Sequence, residues 1–208
     1  MSDTLLDPIA APTTSAFGRI LRLPFALRAP EPRFVAVEAV QRHWEAIRAN
    51  RIAPARDEID PRPMAANLDV LFIGEMVAPR VARLRMCGQH LGDLLGMDPR
   101  GMPLSAFFTF AARDAVGEAL GQVTQGARVM LPLRAESGLG RPGLDGMLAL
   151  MPLTDRAGHM SRVLGVLETV GQIGRAPRRF NLSAPHRAVT AVRVKGTPVL
   201  RVITGGRA

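Results

Sequence analysis

Tyrosine is absent from this chain, tryptophan occurs once, and aromatic residues make up only 4% of the 208 positions. The core must therefore be filled by aliphatic side chains and by ten Met, which pack adaptably. Cysteine is scarce too. The single Cys87 excludes a disulfide within the chain and a zinc cluster built on Cys pairs. It suits a reducing compartment, and the expected location is cytoplasmic. No run approaches the roughly 18 apolar residues of a transmembrane helix. Residues 1–16 carry Asp3 and Asp7 and no basic cluster, so no secretory signal is read there.

Acidic residues are missing from one region only. Residues 171–208 hold seven Arg and Lys195 without a single Asp or Glu, and so carry eight of the nine net positive charges. The body is close to neutral. This tail suggests contact with a nucleic acid or another anionic surface through Arg175, Arg178, Arg179, Arg187, Arg193, Lys195, Arg201 and Arg207, with affinity falling steeply in salt. Only Phe180 is available for base stacking, which argues against specific single-strand recognition. A solubilising tail, or a small hairpin of residues 188–194 and 198–203 around Gly196-Thr197-Pro198, is the competing reading.

Hydrophobic residues make up 47% of the chain, enough for one sizeable core. Residues 1–32 read as a flexible leader broken by Pro8, Pro12, Pro24, Pro30 and Pro32. Within it, the apolar and basic stretch Phe17 to Phe25 suits packing on the domain or a partner better than a membrane surface, because Pro24 interrupts it. Residues 33–66 comprise a helix, over 34–49, and a Pro-punctuated connector with Pro54, Pro61 and Pro63. Val37, Val40, Trp44 and Ile47 recur along that helix at helical spacing. This seam would pair with a second copy or a protein partner, or pack on its own domain with Trp44 as anchor.

Residues 67–173 alternate between strands and short helices. Strands are expected at Leu68–Met76 and Val81–Cys87. Short helices follow at His90–Gly96 and Leu104–Phe110. Arg113–Gln125 places Ala115, Val116, Ala119, Leu120 and Val123 on one face, an amphipathic helix. Strands return around Val129–Leu133, at Met147–Leu153 and at Arg162–Val170. The sum is an α+β domain with a five-stranded antiparallel sheet, short helices between strands two and three, and an N-terminal helix. Residues 174–208 form the basic C-terminal tail.

Groups that carry chemistry are sparse. His43, His90, His159 and His186 lack metal-ligand spacing, so no metal site is expected. Cys87 and His90 stand three apart, but Cys87 ends an apolar strand and reads as an inert thiol. Asp57, Glu58 and Asp60 lie in an Arg-flanked connector and read as an ion-paired turn rather than an acid–base pair. The run Gly138 to Gly143 lacks the Lys of a phosphate loop and contains Pro142, so it reads as a hairpin turn. No catalytic residue is assigned, and a non-catalytic protein is expected.

The element order and several motifs resemble a bacterial PAS-type family. The first set is Trp44, Pro54, Arg56 and Ile59-Asp60-Pro61. The second is the basic strand Arg83-Leu84-Arg85-Met86-Cys87-Gly88, followed by Gly96-Met97-Asp98-Pro99-Arg100-Gly101. The resemblance covers residues 40–173. It implies a PAS fold and a sensory or signalling role, with no output domain after residue 173. Trp44, Pro54, Arg56, Asp60, Pro61, Gly88, Gly96 and Gly101 are then structural positions. Asp60 and Pro61 start a turn, and Arg56 would pair with Asp57, Glu58 or Asp60. Haem-binding relatives use a His on the long helix, and residues 113–125 have none. Flavin photoreceptor relatives use a Cys in an Asn-Cys-Arg motif, which Cys87 lacks. The cofactor stays unassigned. A small-molecule ligand would be lined by Leu84, Met86, Leu91, Leu95, Phe107, Phe108, Leu120, Leu131, Met147 and Met151, residues that serve equally as a filled core.

Overall fold

The computed structural model describes residues 34–184 in full, and the backbone of Arg187–Val194 and Thr197–Thr204. The leader 1–32 lies outside the described residues. Helix α1 (Val35–Arg48) comes first. Strands β1 (Leu71–Ala78) and β2 (Val81–Cys87) form a hairpin. Helices α2 (Gln89–Leu95) and α3 (Arg113–Thr124) and short 3₁₀ turns bridge to β3 (Ala127–Ala135). Strands β4 (Leu144–Leu153) and β5 (Arg162–Val170) complete a meander. These five strands lie in the order β2-β1-β5-β4-β3, every neighbouring pair antiparallel.

The sheet does not stop there. β6 (Asn181–Leu182) pairs with β3, and the hairpin β7 (Arg187–Val194) and β8 (Thr197–Thr204) continues the sheet beyond β3. The boundary at residue 173 therefore needs correction. Phe180 is fully buried among core residues, and Arg178 is only 1% exposed.

Both faces of the sheet are covered. One carries α2, α3 and the turns at Leu104–Phe107 and Phe110–Ala112, with Leu84, Leu91, Phe107, Phe108, Leu120 and Leu131 in the core between. The other carries α1 and the 3₁₀ segment Arg62–Val70, over Leu71, Ile73, Met151, Leu164 and Val166. Two-sided burial explains why β4 and β5 read as nearly continuous apolar runs rather than alternating ones. The first core is tightly filled. A Cβ on Gly165 would sit 1.9 Å from Cζ of Phe72, so only glycine lets that ring lie flat on β5.

The α1 seam faces its own sheet. Val37, Val40 and Trp44 are all 1% exposed or less, and Ile47 is partly buried beside them. The Trp44 indole N–H donates to the Pro152 carbonyl at 3.0 Å. Arg48 and Arg128 lie over its ring at 5.6 and 5.7 Å, and Glu45 pairs with both. The self-pairing seam of Val37, Val40, Trp44 and Ile47 is thus corrected: the domain's own sheet occupies it, because burying Trp44 there also satisfies its N–H. At the start of α1 no residue of the helix caps the backbone by its side chain; Glu168 of β5 accepts the Val37 N–H at 2.9 Å.

The second departure concerns Leu68. The strand expected from that residue begins at Leu71 instead. Pro61 and Pro63 fix their φ angles near helical values, and the chain runs as a 3₁₀ segment until Val70. Likewise, Leu104–Phe110 splits into two 3₁₀ turns around an extended Phe108, which bridges to Phe180.

Candidate functional site

The connector is sewn to the end of β4. Ala55 forms a parallel bridge to Thr154, the Arg56 N–H donates to the Thr154 carbonyl at 2.9 Å, and the Thr154 N–H returns to Pro54 at 3.0 Å. Asp60 accepts the backbone and Nε hydrogens of Arg62, both at 3.0 Å, and so closes the turn that launches the 3₁₀ segment. Between this strap and the β1–β2 end of the sheet lies a cleft of about 540 Å³. Ile59, Met64 and Leu68 form one wall, and Leu71, Ile73, Met86 and Leu164 form the other. Arg56 stands on its border, with Asp69 and Gln89. The Arg56 guanidinium does not pair with Asp57, Glu58 or Asp60. Glu58 goes to Arg51 and Asp60 to Arg62, while Arg56 donates to the Met86 sulfur at 3.4 Å. Met86 and Leu68 are 55% and 43% exposed, unusual for large apolar side chains facing one another across a cleft.

The ten residues expected to line a ligand cavity separate into three groups. Leu84, Leu91, Leu95, Phe107, Phe108, Leu120 and Leu131 belong to the filled core under α2 and α3. Met151 belongs to the core under α1, with Met147 packed against it. Only Met86 lines the outer cleft. The apolar residues of the cleft that sequence reasoning missed include Ile59, Met64, Leu68, Leu71, Phe72, Ile73 and Leu164. The available signal was three apolar side chains, Ile59, Met64 and Leu68, in a Pro-punctuated stretch with no helical or strand period.

A family profile described as a PAS domain matches residues 33–168, more than half of the chain. The chain belongs to the PAS domain family. This PAS domain finds no match among curated proteins. Solved structures that resemble it include the light state of the blue-light photoreceptor Aureochrome1 LOV, at 14% identity and a TM-score of 0.39, covering 53% of this chain and 88% of that one. The dark structure of the same LOV domain aligns at 14% identity and a TM-score of 0.40, over 68% of this chain and 87% of that one. A third, a light-oxygen-voltage domain studied with a flavin analogue, stands at 16% identity and a TM-score of 0.39, over 53% and 84%. Likeness this distant says nothing about a ligand.

The groups able to carry chemistry are quiet, including Cys87, which lines the cleft. Burial, then the nearby Asp98, pushes the Cys87 thiol up to about 11, so it is protonated at neutral pH. Burial lowers the His90 pKa, and its Nε2 lies 3.0 Å from the Thr169 hydroxyl. Hydrogen bonds from Arg51 hold Glu58, and from Arg62 hold Asp60, below the usual carboxylate range, so neither is set up to carry protons at neutral pH. Among the described residues no three His, Cys, Asp or Glu side chains gather as metal ligands. No helix among them is long and apolar enough to cross a membrane.

Gly88 cannot be replaced without moving backbone, since a Cβ there would meet the Leu68 carbonyl at 2.1 Å. Gly96 ends α2 at φ 73°, and Gly101 turns at φ 82°. Of the basic tail, the side chains of Arg187, Arg193, Lys195, Arg201 and Arg207 lie outside the described residues. Arg178 is not part of an exposed basic surface: it is buried, and its guanidinium donates to the carbonyls of Ile173, Glu136 and Pro142.

Proposed function

We propose that this PAS domain is a non-catalytic sensory module that binds a small amphipathic molecule in the outer cleft and passes the change to a protein partner. The apolar cleft with exposed Met86 and Leu68 carries the reading. Covering those side chains with an apolar ligand body removes hydrophobic surface from water. An anionic head fits beside Arg56, whose one side-chain hydrogen bond among the described residues is to a sulfur, a weak acceptor. The wall formed by Arg62–Val70 also packs against α1 and α2. A ligand that stiffens this wall therefore acts on α1 without touching it, and no reactive group on the cleft is activated for turnover.

Native mass spectrometry of freshly purified protein, followed by titration with a long-chain fatty acid, tests the proposal. A bound mass lost on denaturation, or saturable fatty-acid binding that Met86→Trp abolishes, supports it. A bare chain that fails to saturate with the fatty acid, or binding that Met86→Trp leaves intact, removes the cleft from consideration.

A further inference from the structure

The turn between β3 and β4 gathers more positive than negative charge among the described residues. Gly138 and Arg141 close a tight hairpin through paired backbone hydrogen bonds of 2.7 and 2.9 Å. The segment after β5 locks onto it: the Arg175 N–H donates to the Gly140 carbonyl at 2.7 Å, and a Cβ on Gly174 would strike Pro142 at 2.5 Å. This close approach brings Arg141, Arg178 and Arg179 to one cleft of about 290 Å³, with Glu136, Ser137 and Gly138 as neighbours.

Arg178 is 1% exposed, and three neutral carbonyls are its side-chain partners. Carbonyls satisfy hydrogen bonds but not a full charge, and a buried cation is costly without an anion. Burial and the neighbouring Arg141 both lower its pKa, so two guanidiniums sit close enough to repel. The Nε of Arg141 is itself buried and has no hydrogen-bond partner. Arg179, which also lines the cleft, donates to the Ala106 carbonyl. Glu136 is the one carboxylate there, and it makes no ion pair among the described residues. Three guanidiniums against one carboxylate leave a net positive cavity.

We propose that this cleft is an oxyanion site, taking a phosphate group either as free phosphate or as the phosphomonoester of a small molecule. The planar N–H edge of Arg141 and the Ser137 hydroxyl supply donors that match tetrahedral oxygens. The volume holds the group with several waters. The site is separate from the apolar cleft at Arg56, since the two share no residue.

The test is calorimetric titration of the full chain with inorganic phosphate and with phenyl phosphate, chloride making up a constant ionic strength. Saturable one-site binding is expected, weakened roughly tenfold or more in Arg141→Met. Arg156→Met, on an exposed turn, controls for lost surface charge and should bind as the wild type does. Arg178→Met is avoided because its carbonyl clamp is structural, and melting in chloride verifies that Arg141→Met stays folded. Equal affinity for the two probes assigns the site to free phosphate, and tighter binding of the ester assigns it to a phosphomonoester. Absence of saturable binding, or binding that Arg141→Met and Arg179→Met both leave unchanged, overturns the site.

Discussion

Trp44 shows how one side chain does several jobs at the residue scale. Its ring fills the core under α1, its N–H satisfies the Pro152 carbonyl, and two guanidiniums cover its face. Truncation to Ala leaves a cavity, an unpaired carbonyl and two uncovered cations. Trp44→Ala is therefore expected to cost about 3–5 kcal/mol, a large share of the stability of a domain this size. The check is the midpoint of urea unfolding, alongside light scattering. The midpoint should fall sharply while the oligomeric state of the remaining folded protein stays the same. A dimer that dissociates without loss of stability would restore the seam as an interface. The sequence singles out Trp44 as an anchor, since a lone Trp among aliphatics has to be buried somewhere. It could not say against which surface, because an a/d-like seam looks the same whether it meets a sheet or a second helix.

At the element scale, a single carboxylate adds a side-chain link across β2, β1 and β5, which the sheet already joins through its backbone. Glu75 of β1 stands between Arg85 of β2 at 2.5 Å and Arg162 of β5. The hydrogen bonds from Arg162, then Arg85, hold its pKa below the ordinary value. A carboxylate whose folded pKa is depressed gives stability that is fully present above its unfolded pKa. That stability is lost as pH falls through the folded value. Glu75 is solvated, so the contribution is at most about 1 kcal/mol. Glu75→Gln should lower the urea midpoint slightly near neutrality and flatten its decline at pH values below the carboxylate range. Parallel decline in the two proteins would place the acid sensitivity elsewhere.

The same scale explains what was legible. Helix α1, β2 and α3 follow from period and turn residues, because each buries one stripe or face, whereas β5 follows as a short apolar run bounded by turn residues and buried on both faces. The start of β1 did not, because Leu68-Asp69-Val70 has strand composition while Pro61 and Pro63 upstream impose a 3₁₀ path. The outer cleft was hidden for the same reason. Ile59, Met64 and Leu68 sit outside strands and α-helices, where no strand or α-helical period marks them, and Leu71, Ile73, Met86 and Leu164 come from three different strands. The ten residues proposed as liners were apolar for a different cause: seven of them pack one another under α2 and α3.

For the molecule as a whole, the question is where the folded unit ends. The hairpin β7–β8 was foreseeable from its turn residues, but its docking on β3 was not, since edge pairing is made by backbone groups that carry no side-chain signature. Among the described side chains, neither core cluster includes one beyond Phe180, and Leu182 is the last packed against them. A chain ending at Ala184 should therefore fold and keep both clefts. It also uncovers the backbone of Ala127–Met130 on β3, an open edge that a second copy can pair with. A chain ending at Gly174 fares differently. It loses the Phe180 ring, worth about 3–5 kcal/mol when buried, and the Arg178 clamp on three carbonyls as well. Circular dichroism and light scattering of the two truncations separate these effects. The longer should be folded and associate as its concentration rises, and the shorter should unfold. If the shorter chain folds as well, Phe180 and Arg178 are accessory and the domain closes at β5. If the longer remains monomeric at every concentration, β6 on Leu133 and Arg134 already protects the β3 edge.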